Sequence, residues 1–175
     1  MKTIGERLET LRAGGAVRRF HTERTIDPET VGQHTFGVIG ILFLLLDEPE
    51  LRLIKAALHH DLSEQLTGDI PAPTKWQSPG LRRAEKEVQT DFDRDHGLEV
   101  ALSMQEHLIL KYADMLDLMA SSSDMVRMGN TFALQIHHRI SVRIHDTTRL
   151  DNHIIQGRID DLWMYLHMMT KGDPT

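Results

Sequence analysis

Apolar residues along this chain recur at three- and four-residue intervals rather than in alternation, which is the period of helices and not of strands. No stretch alternates for long enough to build a sheet. The segments with helical spacing are residues 3–13, 29–46, 51–66, 81–97, 100–128, 131–148 and 151–171. The pattern therefore predicts an all-α bundle of about six or seven helices.

Glycine, proline and acidic clusters separate these predicted helices. Gly14-Gly15 ends the first helix, the segment DEPE divides the second from the third, and Gly129-Asn130 terminates the longest one. Residues 67–80, TGDIPAPTKWQSPG, concentrate glycine and proline, so they are predicted as a loop with at most a short helical turn around Pro73 to Trp76. Trp76 is expected to anchor this loop against the bundle.

Length and composition predict one globular domain over residues 1–175, with 40% hydrophobic and 26% charged residues. The formal net charge of -6 argues against broad binding to nucleic acid. The absence of cysteine excludes thiolate metal sites, so a bound metal would need histidine and carboxylate ligands. The first residues lack the apolar stretch of a signal peptide and no segment has the length of a membrane span, so a cytoplasmic location is expected.

The third helix carries a candidate metal motif in ALHHDLSEQLTGD. His60 and Asp61 offer two adjacent ligands, and Glu64 lies on the same side of the helix one turn further on. Imidazole nitrogen with carboxylate oxygen suits zinc, manganese, cobalt or iron. A His-Asp dipeptide is weak on its own, because most such pairs are caps or surface pairs.

Two further ionisable residues stand in apolar helices, where burial without a partner costs free energy. His34 begins the run HTFGVIGILFLLL, and its alternative interpretation is a core histidine bonded to a carbonyl. Asp114 lies in LILKYADMLDLMA, where the alternatives are a salt bridge to Lys111 or a ligand role for the competing Asp117. One shared cation would satisfy His34, His60, Asp61 and Asp114 together.

The order H…HD…D in these residues resembles the ligand signature of the HD-domain metal-dependent phosphohydrolases. The stretches RRFHTERTIDPETVGQH, ALHHDLSEQLTGDIPAPTKW and KYADMLD with RMGN resemble the YfbR-like 5'-deoxynucleotidases more closely, over Arg19 to about Asn130. The short separation of Asp61 from Asp114 is similar to that of the phage dATP triphosphohydrolases of the same fold, the DatZ-like group. The resemblance implies an HD-domain helical bundle.

The resemblance also implies a role for each matching residue. The implied metal ligands are His34, His60, Asp61 and Asp114, with Glu64 and Asp69 as catalytic groups around the attacking water. The implied phosphate contacts are Arg19, Lys75 and Lys111. The implied sugar and base contacts are Phe20, Thr22 and Pro73. Phe20 replaces the tryptophan usual at its position, and Thr22 is more polar than the aliphatic residue that the resemblance leads one to expect there.

The function implied by the resemblance is removal of 5' phosphates from 2'-deoxyribonucleotides, with dATP, dADP and dAMP as the leading substrates. The alternatives are a broad deoxynucleoside 5'-monophosphatase and a non-catalytic, metal-stabilised binding protein. The implied cofactor is Zn²⁺, Co²⁺ or Mn²⁺, with additional Mg²⁺ as an option. The expected partners are the nucleotide and further copies of the chain in a dimer or hexamer, in the cytoplasm, or in the host cytoplasm of a phage-encoded protein.

Overall fold

The computed structural model describes residues 2–170, and these residues form nine helices and no strand. The helices are α1 (Ile4–Gly15), α2 (Val31–Leu45), α3 (Leu51–His59), α4 (Glu64–Thr67), α5 (Ala72–Gln77), α6 (Pro79–His96), α7 (Met104–Arg127), α8 (Ala133–His145) and α9 (His153–Met169). The predicted all-α fold is confirmed, and α5 lies at the predicted turn around Pro73 to Trp76. Lys171, the predicted end of the last helix, lies outside the described residues.

The starts of α2 and α7 are specified by capping boxes, in which a hydroxyl and a long polar side chain satisfy free backbone groups. Thr30 accepts from the backbone of Gln33, whose side chain accepts from the backbone of Thr30. Ser103 and Glu106 repeat this exchange at α7. These local signals position the two helices that carry His34 and Asp114.

The core is centred on α7, which packs mainly against α8 and α2 and also against α9. Its inward face contributes Tyr112, Leu116 and Met119, all essentially buried, and α2 faces them with Val38 and Leu42. Burying such side chains stabilises a fold by roughly 1.5–3 kcal/mol each. No helix within residues 2–170 is both long and apolar enough to cross a membrane.

One side of α2 is exposed, although the sequence predicts a helix buried at the centre of the bundle. Phe36 is 81% exposed, and Phe43 and Leu44 lie on the same side of the helix and are more than half exposed. Neighbouring helices therefore cover only the face that carries His34 and Val38. Because α2 is hydrophobic on nearly every side, its sequence did not indicate which face the neighbouring helices would cover.

The predicted continuous helix over residues 51–66 is interrupted, because residues 60–63 form a turn between α3 and α4. At this turn Leu62 packs against α1, where a side chain at Gly14 would approach Leu62 Cδ2 to 2.6 Å. Glycine at position 14 thus allows α1 to approach the turn closely. The interruption directs the side chains of His60 and Asp61 towards α2 and α7.

Candidate metal centre and substrate cleft

Potential metal-binding atoms of His34, His60 and Asp61 form one close group, and Asp114 of α7 lies beside the His34 atom of this group. His34 Nε2 lies 3.0 Å from Asp114 Oδ1, 3.2 Å from His60 Nε2 and 3.7 Å from Asp61 Oδ2. His60 Nε2 lies 3.3 Å from Asp61 Oδ2. Ligand atoms about 2.0–2.2 Å from one ion in a tetrahedral site stand roughly 3.4 Å from one another. The spacing of the His34, His60 and Asp61 atoms therefore fits one divalent ion, and Asp114 approaches this group through its contact with His34.

Hydrogen bonds on the far side of each imidazole define which nitrogen faces this group. His34 Nδ1 donates to Asp117 Oδ2 at 2.6 Å, and His60 Nδ1 donates to the carbonyl oxygen of Ala57 at 2.7 Å. In their neutral forms both rings therefore present an unprotonated Nε2 to the other across 3.2 Å. The lone pairs of these two Nε2 atoms repel each other unless a proton or a cation lies between them. Histidines that bind a metal through Nε2 commonly donate a hydrogen bond from Nδ1, as both of these rings do.

The electrostatics of His34 favour a positive charge at this position. Burial opposes protonation, but hydrogen bonds to Asp114 and Asp117 raise the pKa of His34 to about 9. The side chain is completely buried, so this charge is not stabilised by water. A metal ion at Nε2 would replace the proton, because ligands must release their protons to coordinate.

Asp117, which the sequence analysis offered as an alternative metal ligand to Asp114, contacts the opposite side of the His34 ring. Asp114 and Asp117 are three residues apart on α7, so both face α2, and His34 lies between them. The alternative salt bridge from Asp114 to Lys111 is absent among residues 2–170. The three-residue spacing of the two aspartates on one helix could have indicated that both contact the same histidine.

The carboxylate of Asp117 fits against α2 only because position 37 is glycine. A methyl group there would collide with Asp117 Oδ1 and Cγ. We expect Gly37→Ala to displace Asp117, reorient His34 and weaken zinc binding by about 10–100-fold, the range typical of altered outer hydrogen bonds. Competition with a chromophoric chelator measures the affinity.

Gly40→Ala is the matched control, since nothing lies within 4 Å of a side chain at Gly40 on the same helix. This substitution should leave zinc affinity unchanged and stabilise α2 by up to about 1 kcal/mol through helix propensity. Equal zinc affinity in the two variants would contradict the role given to Asp117.

A cleft of about 270 Å³ is bordered by Asp61 and Asp114 and by residues from α4, α5, α7 and α8. Glu64 lies in it and is only 7% exposed. Burial, followed by the charges of Asp61 and Asp69, raises the pKa of Glu64 to about 9. Within residues 2–170, Glu64 Oε2 has no hydrogen-bond partner. A buried carboxyl group with a raised pKa and a free oxygen is typical of proton-transfer sites.

A closed loop between α1 and α2 brings Arg19 and Phe20 to the cleft. Arg19 N donates to the carbonyl of Glu29 at 2.8 Å, and Phe20 N donates to Asp69 Oδ2 at 3.0 Å. Phe20 has a φ of 57°, a left-handed conformation that is strained for a bulky residue and often marks a functional site. One oxygen of Asp69 is thus engaged in holding this loop.

The guanidinium of Arg19 reaches the metal-binding atoms. Arg19 is 8% exposed, and its Nη1 lies 4.0 Å from Asp61 Oδ2. Burial lowers the pKa of Arg19, but the charges of Asp61 and Asp114 outweigh this effect and raise it. Within the described chain Nη1 makes no hydrogen bond. A charged, planar donor with a free nitrogen is suited to a phosphate oxygen.

The remaining residues implied by the resemblance also line the cleft, namely Thr22, Pro73, Lys75 and Lys111. Lys75 has an acidic partner, since its Nζ lies 2.8 Å from Glu85 Oε1. The cleft also contains residues that the sequence did not indicate: Glu23, Ile136, Arg139 and Arg143. Trp76, expected to be a loop anchor, lines the cleft as well and is 43% exposed.

Comparison with solved structures identifies the fold. An HD-domain phosphohydrolase from Listeria innocua matches with a TM-score of 0.73 and 21% identity, over 97% of this chain and 90% of its own. The cyanophage S-2L HD phosphohydrolase DatZ, solved with dA and one catalytic Zn²⁺ ion, matches with a TM-score of 0.69 and 17% identity, over 98% and 99%. This fold is therefore the helical bundle of the HD-domain phosphohydrolases.

The sequence comparison is more specific. The family model of the YfbR-like 5'-deoxynucleotidases matches residues 8–96, about half of the chain. This chain belongs to the YfbR-like 5'-deoxynucleotidase family. A 5'-deoxynucleotidase of Vibrio parahaemolyticus is 31% identical over 83 residues, 42% of each protein, and one of Photobacterium profundum is 22% identical over 149 residues, 71% of this chain and 76% of its own. The matched segment thus spans under half of the Vibrio relative's length.

Proposed function

We propose that this protein is a metal-dependent phosphohydrolase that removes 5' phosphates from 2'-deoxyribonucleotides. The observation that carries the proposal is the close group of His34 Nε2, His60 Nε2 and Asp61 Oδ2, with Asp114 Oδ1 beside His34, at a cleft that also contains Arg19 and Glu64. A purely structural metal site would not require a buried guanidinium with a free nitrogen and a high-pKa carboxyl group beside it. The proposal therefore favours an enzyme over a metal-stabilised binding protein.

In this proposal His34, His60, Asp61 and Asp114 would hold the ion, which would lower the pKa of bound water and neutralise charge on the phosphoryl group. Glu64 would hold the attacking water through its free Oε2, and the charge of the bound ion would lower the pKa of this carboxyl group so that it can accept the water's proton. Arg19 binds a nonbridging phosphate oxygen and stabilises the charge that develops in the transition state. Asp69 keeps Phe20 and Arg19 in place through its bond to the Phe20 amide, and its second oxygen can relay to the leaving group the proton that Glu64 accepts from the water.

We assign recognition of the sugar and base to Phe20, Thr22 and Pro73, which line the cleft. An apolar ring at Phe20 leaves a ribose 2'-hydroxyl without a hydrogen-bond partner, and this disfavours ribonucleotides. We propose adenine as the preferred base, by likeness to the DatZ structure with bound dA. The rival proposal is a broad 5'-monophosphatase, which is favoured by the curated relatives, all named 5'-deoxynucleotidases.

A substrate panel with metal-stripped protein tests these proposals. The protein is treated with a chelator, reconstituted with Zn²⁺, Co²⁺ or Mn²⁺, and assayed for phosphate release from dATP, dAMP, dGTP, dGMP and ATP. We expect no turnover without metal, restored turnover with at least one ion, and a preference for deoxyadenosine nucleotides over ATP. Comparable turnover of both deoxy-monophosphates without triphosphate turnover would favour the rival, and metal-independent turnover would overturn the mechanism.

We also propose that residues 1–175 act as one HD domain in a cytoplasmic homo-oligomer, either a dimer or a hexamer. Light scattering coupled to size-exclusion chromatography measures the mass directly. A monomer at the concentrations used in the activity assays would overturn the proposed assembly.

A further inference from the structure

Three cations from different helices gather at one end of the cleft. Lys111 of α7 and Arg143 of α8 both line it, and Arg82 of α6 is close enough to influence Lys111 electrostatically. Among residues 2–170 none of the three forms an ion pair. The Lys75 side chain, which lines the same cleft, is by contrast paired with Glu85. This end of the cleft therefore carries positive charge that the described chain leaves uncompensated.

The gathering of these cations has an electrostatic cost. Burial lowers the pKa of Lys111, the charges of Arg143 and Arg82 lower it further, and only Asp114 raises it. Surface cations normally spread apart or pair with acids, whereas like charges held together are stabilised by a bound anion. The net charge of the protein is -6, so this cluster is a positively charged region on a protein that is negatively charged overall.

The orientation of Arg143 is restrained by Trp76. The guanidinium carbon of Arg143 lies 5.6 Å from the centre of the indole ring, a cation–π contact. Arginine stacked on an aromatic ring keeps the in-plane donors of its guanidinium free for hydrogen bonds. Trp76 thus presents Arg143 to the cleft and does more than anchor the loop.

The two ends of the cleft differ in chemistry, and the metal-binding atoms lie between them. Helices α7 and α8 are joined by a short turn and pack side by side, so Lys111 and Arg143 are at one end while Leu118 and Ile136 are at the other. At the apolar end the ion pair between Glu23 and Arg139, 3.0 Å long, connects the loop of Thr22 to α8. A nucleotide can therefore place its base at the apolar end and extend its phosphates past the metal centre.

We propose that Arg143, held by Trp76 and assisted by Lys111 and Arg82, binds the outer phosphates of a nucleoside di- or triphosphate. This inference rests on the proposed function and specifies its substrate class. A monophosphate positioned over the metal centre has no outer phosphate to present to Arg143. Arg143 therefore adds binding free energy for polyphosphate nucleotides.

The variant Arg143→Gln tests this inference, because position 143 is exposed and the substitution removes the charge while keeping a polar side chain. We expect the KM for dATP to rise by about tenfold or more, as typical for loss of a charge-assisted hydrogen bond, and kcat/KM for dAMP to change by less than about twofold. Arg83→Gln is the matched control, since Arg83 is exposed on α6 and does not line the cleft. It should change neither value.

A binding measurement separates this inference from the proposed function. Calorimetry with the zinc-loaded protein compares inorganic tripolyphosphate with orthophosphate, and we expect tighter binding of tripolyphosphate in the wild type and loss of this difference in Arg143→Gln. An equal effect of the substitution on dATP and dAMP, or no preference for tripolyphosphate, overturns the inference while dAMP hydrolysis leaves the proposed function intact. If no nucleotide is hydrolysed, the proposed function fails, and the tripolyphosphate measurement still decides whether the basic end binds polyphosphate.

Discussion

Replacement of Glu64 by glutamine is expected to lower the turnover of deoxynucleotides by about 10²–10⁴-fold, the usual contribution of a positioned proton acceptor. Glutamine has the same shape and still fits the buried position, which is 7% exposed, but it cannot accept the proton of the attacking water. Because burial and the charges of Asp61 and Asp69 raise the pKa of Glu64 to about 9, the neutral amide should be tolerated by the fold. Steady-state kinetics at saturating metal measure the loss.

The same variant should bind one equivalent of metal with wild-type affinity, because Glu64 is not one of the four proposed ligands. Glu87→Gln on α6 is a suitable control, since that side chain is exposed and far from the cleft lining. Full activity of Glu64→Gln would remove the proposed proton acceptor. Loss of metal together with activity would instead make Glu64 a ligand.

A large loss of both zinc affinity and turnover is expected for Asp114→Asn. This substitution keeps the size of the side chain but removes the negative charge 3.0 Å from His34 Nε2. Since even outer hydrogen bonds alter metal affinity by 10–100-fold, loss of a direct ligand should reduce zinc affinity by at least about 100-fold and abolish turnover at stoichiometric zinc. Metal analysis after dialysis and an activity assay on the same sample measure both effects.

Asp124→Asn provides the control on the same helix, because Asp124 is exposed and its side chain makes no hydrogen bond in the described residues. It should retain wild-type metal content and activity. If Asp114→Asn retained wild-type zinc affinity, Asp114 would not be a ligand, and the close group of His34, His60 and Asp61 would hold the ion without it.

The sequence predicted the fold class and the convergence of charged groups for one physical reason. Ionisable residues within apolar helices must find partners when they are buried, and α2 and α7 each present such a residue. Hydrophobic period predicted most helix positions within a few residues, as in α8 and α9. The motifs shared with the YfbR-like family then indicated which charged residues to group.

Other features depend on contacts that are distant along the chain and carry no local signal. The turn at residues 60–63 depends on the packing of Leu62 against Gly14, and helical spacing alone continued through it. Arg143 follows no motif, and it reaches the cleft only because α8 packs along α7. The burial of His137, 3% exposed and bonded to Ser123, likewise depends on the packing of α8 against α7.

The contact between His34 and Asp117 joins residues that are 83 positions apart in the chain. During synthesis the early histidine therefore emerges from the ribosome long before the helix that supplies its partners. Until α7 has been made, His34 lies in an apolar segment that can neither bury this ring at low cost nor retain an ion with all four ligands. Coordination by all four residues thus has to follow translation of α7, and a product terminated before α7 would lack both Asp114 and the Asp117 that orients His34.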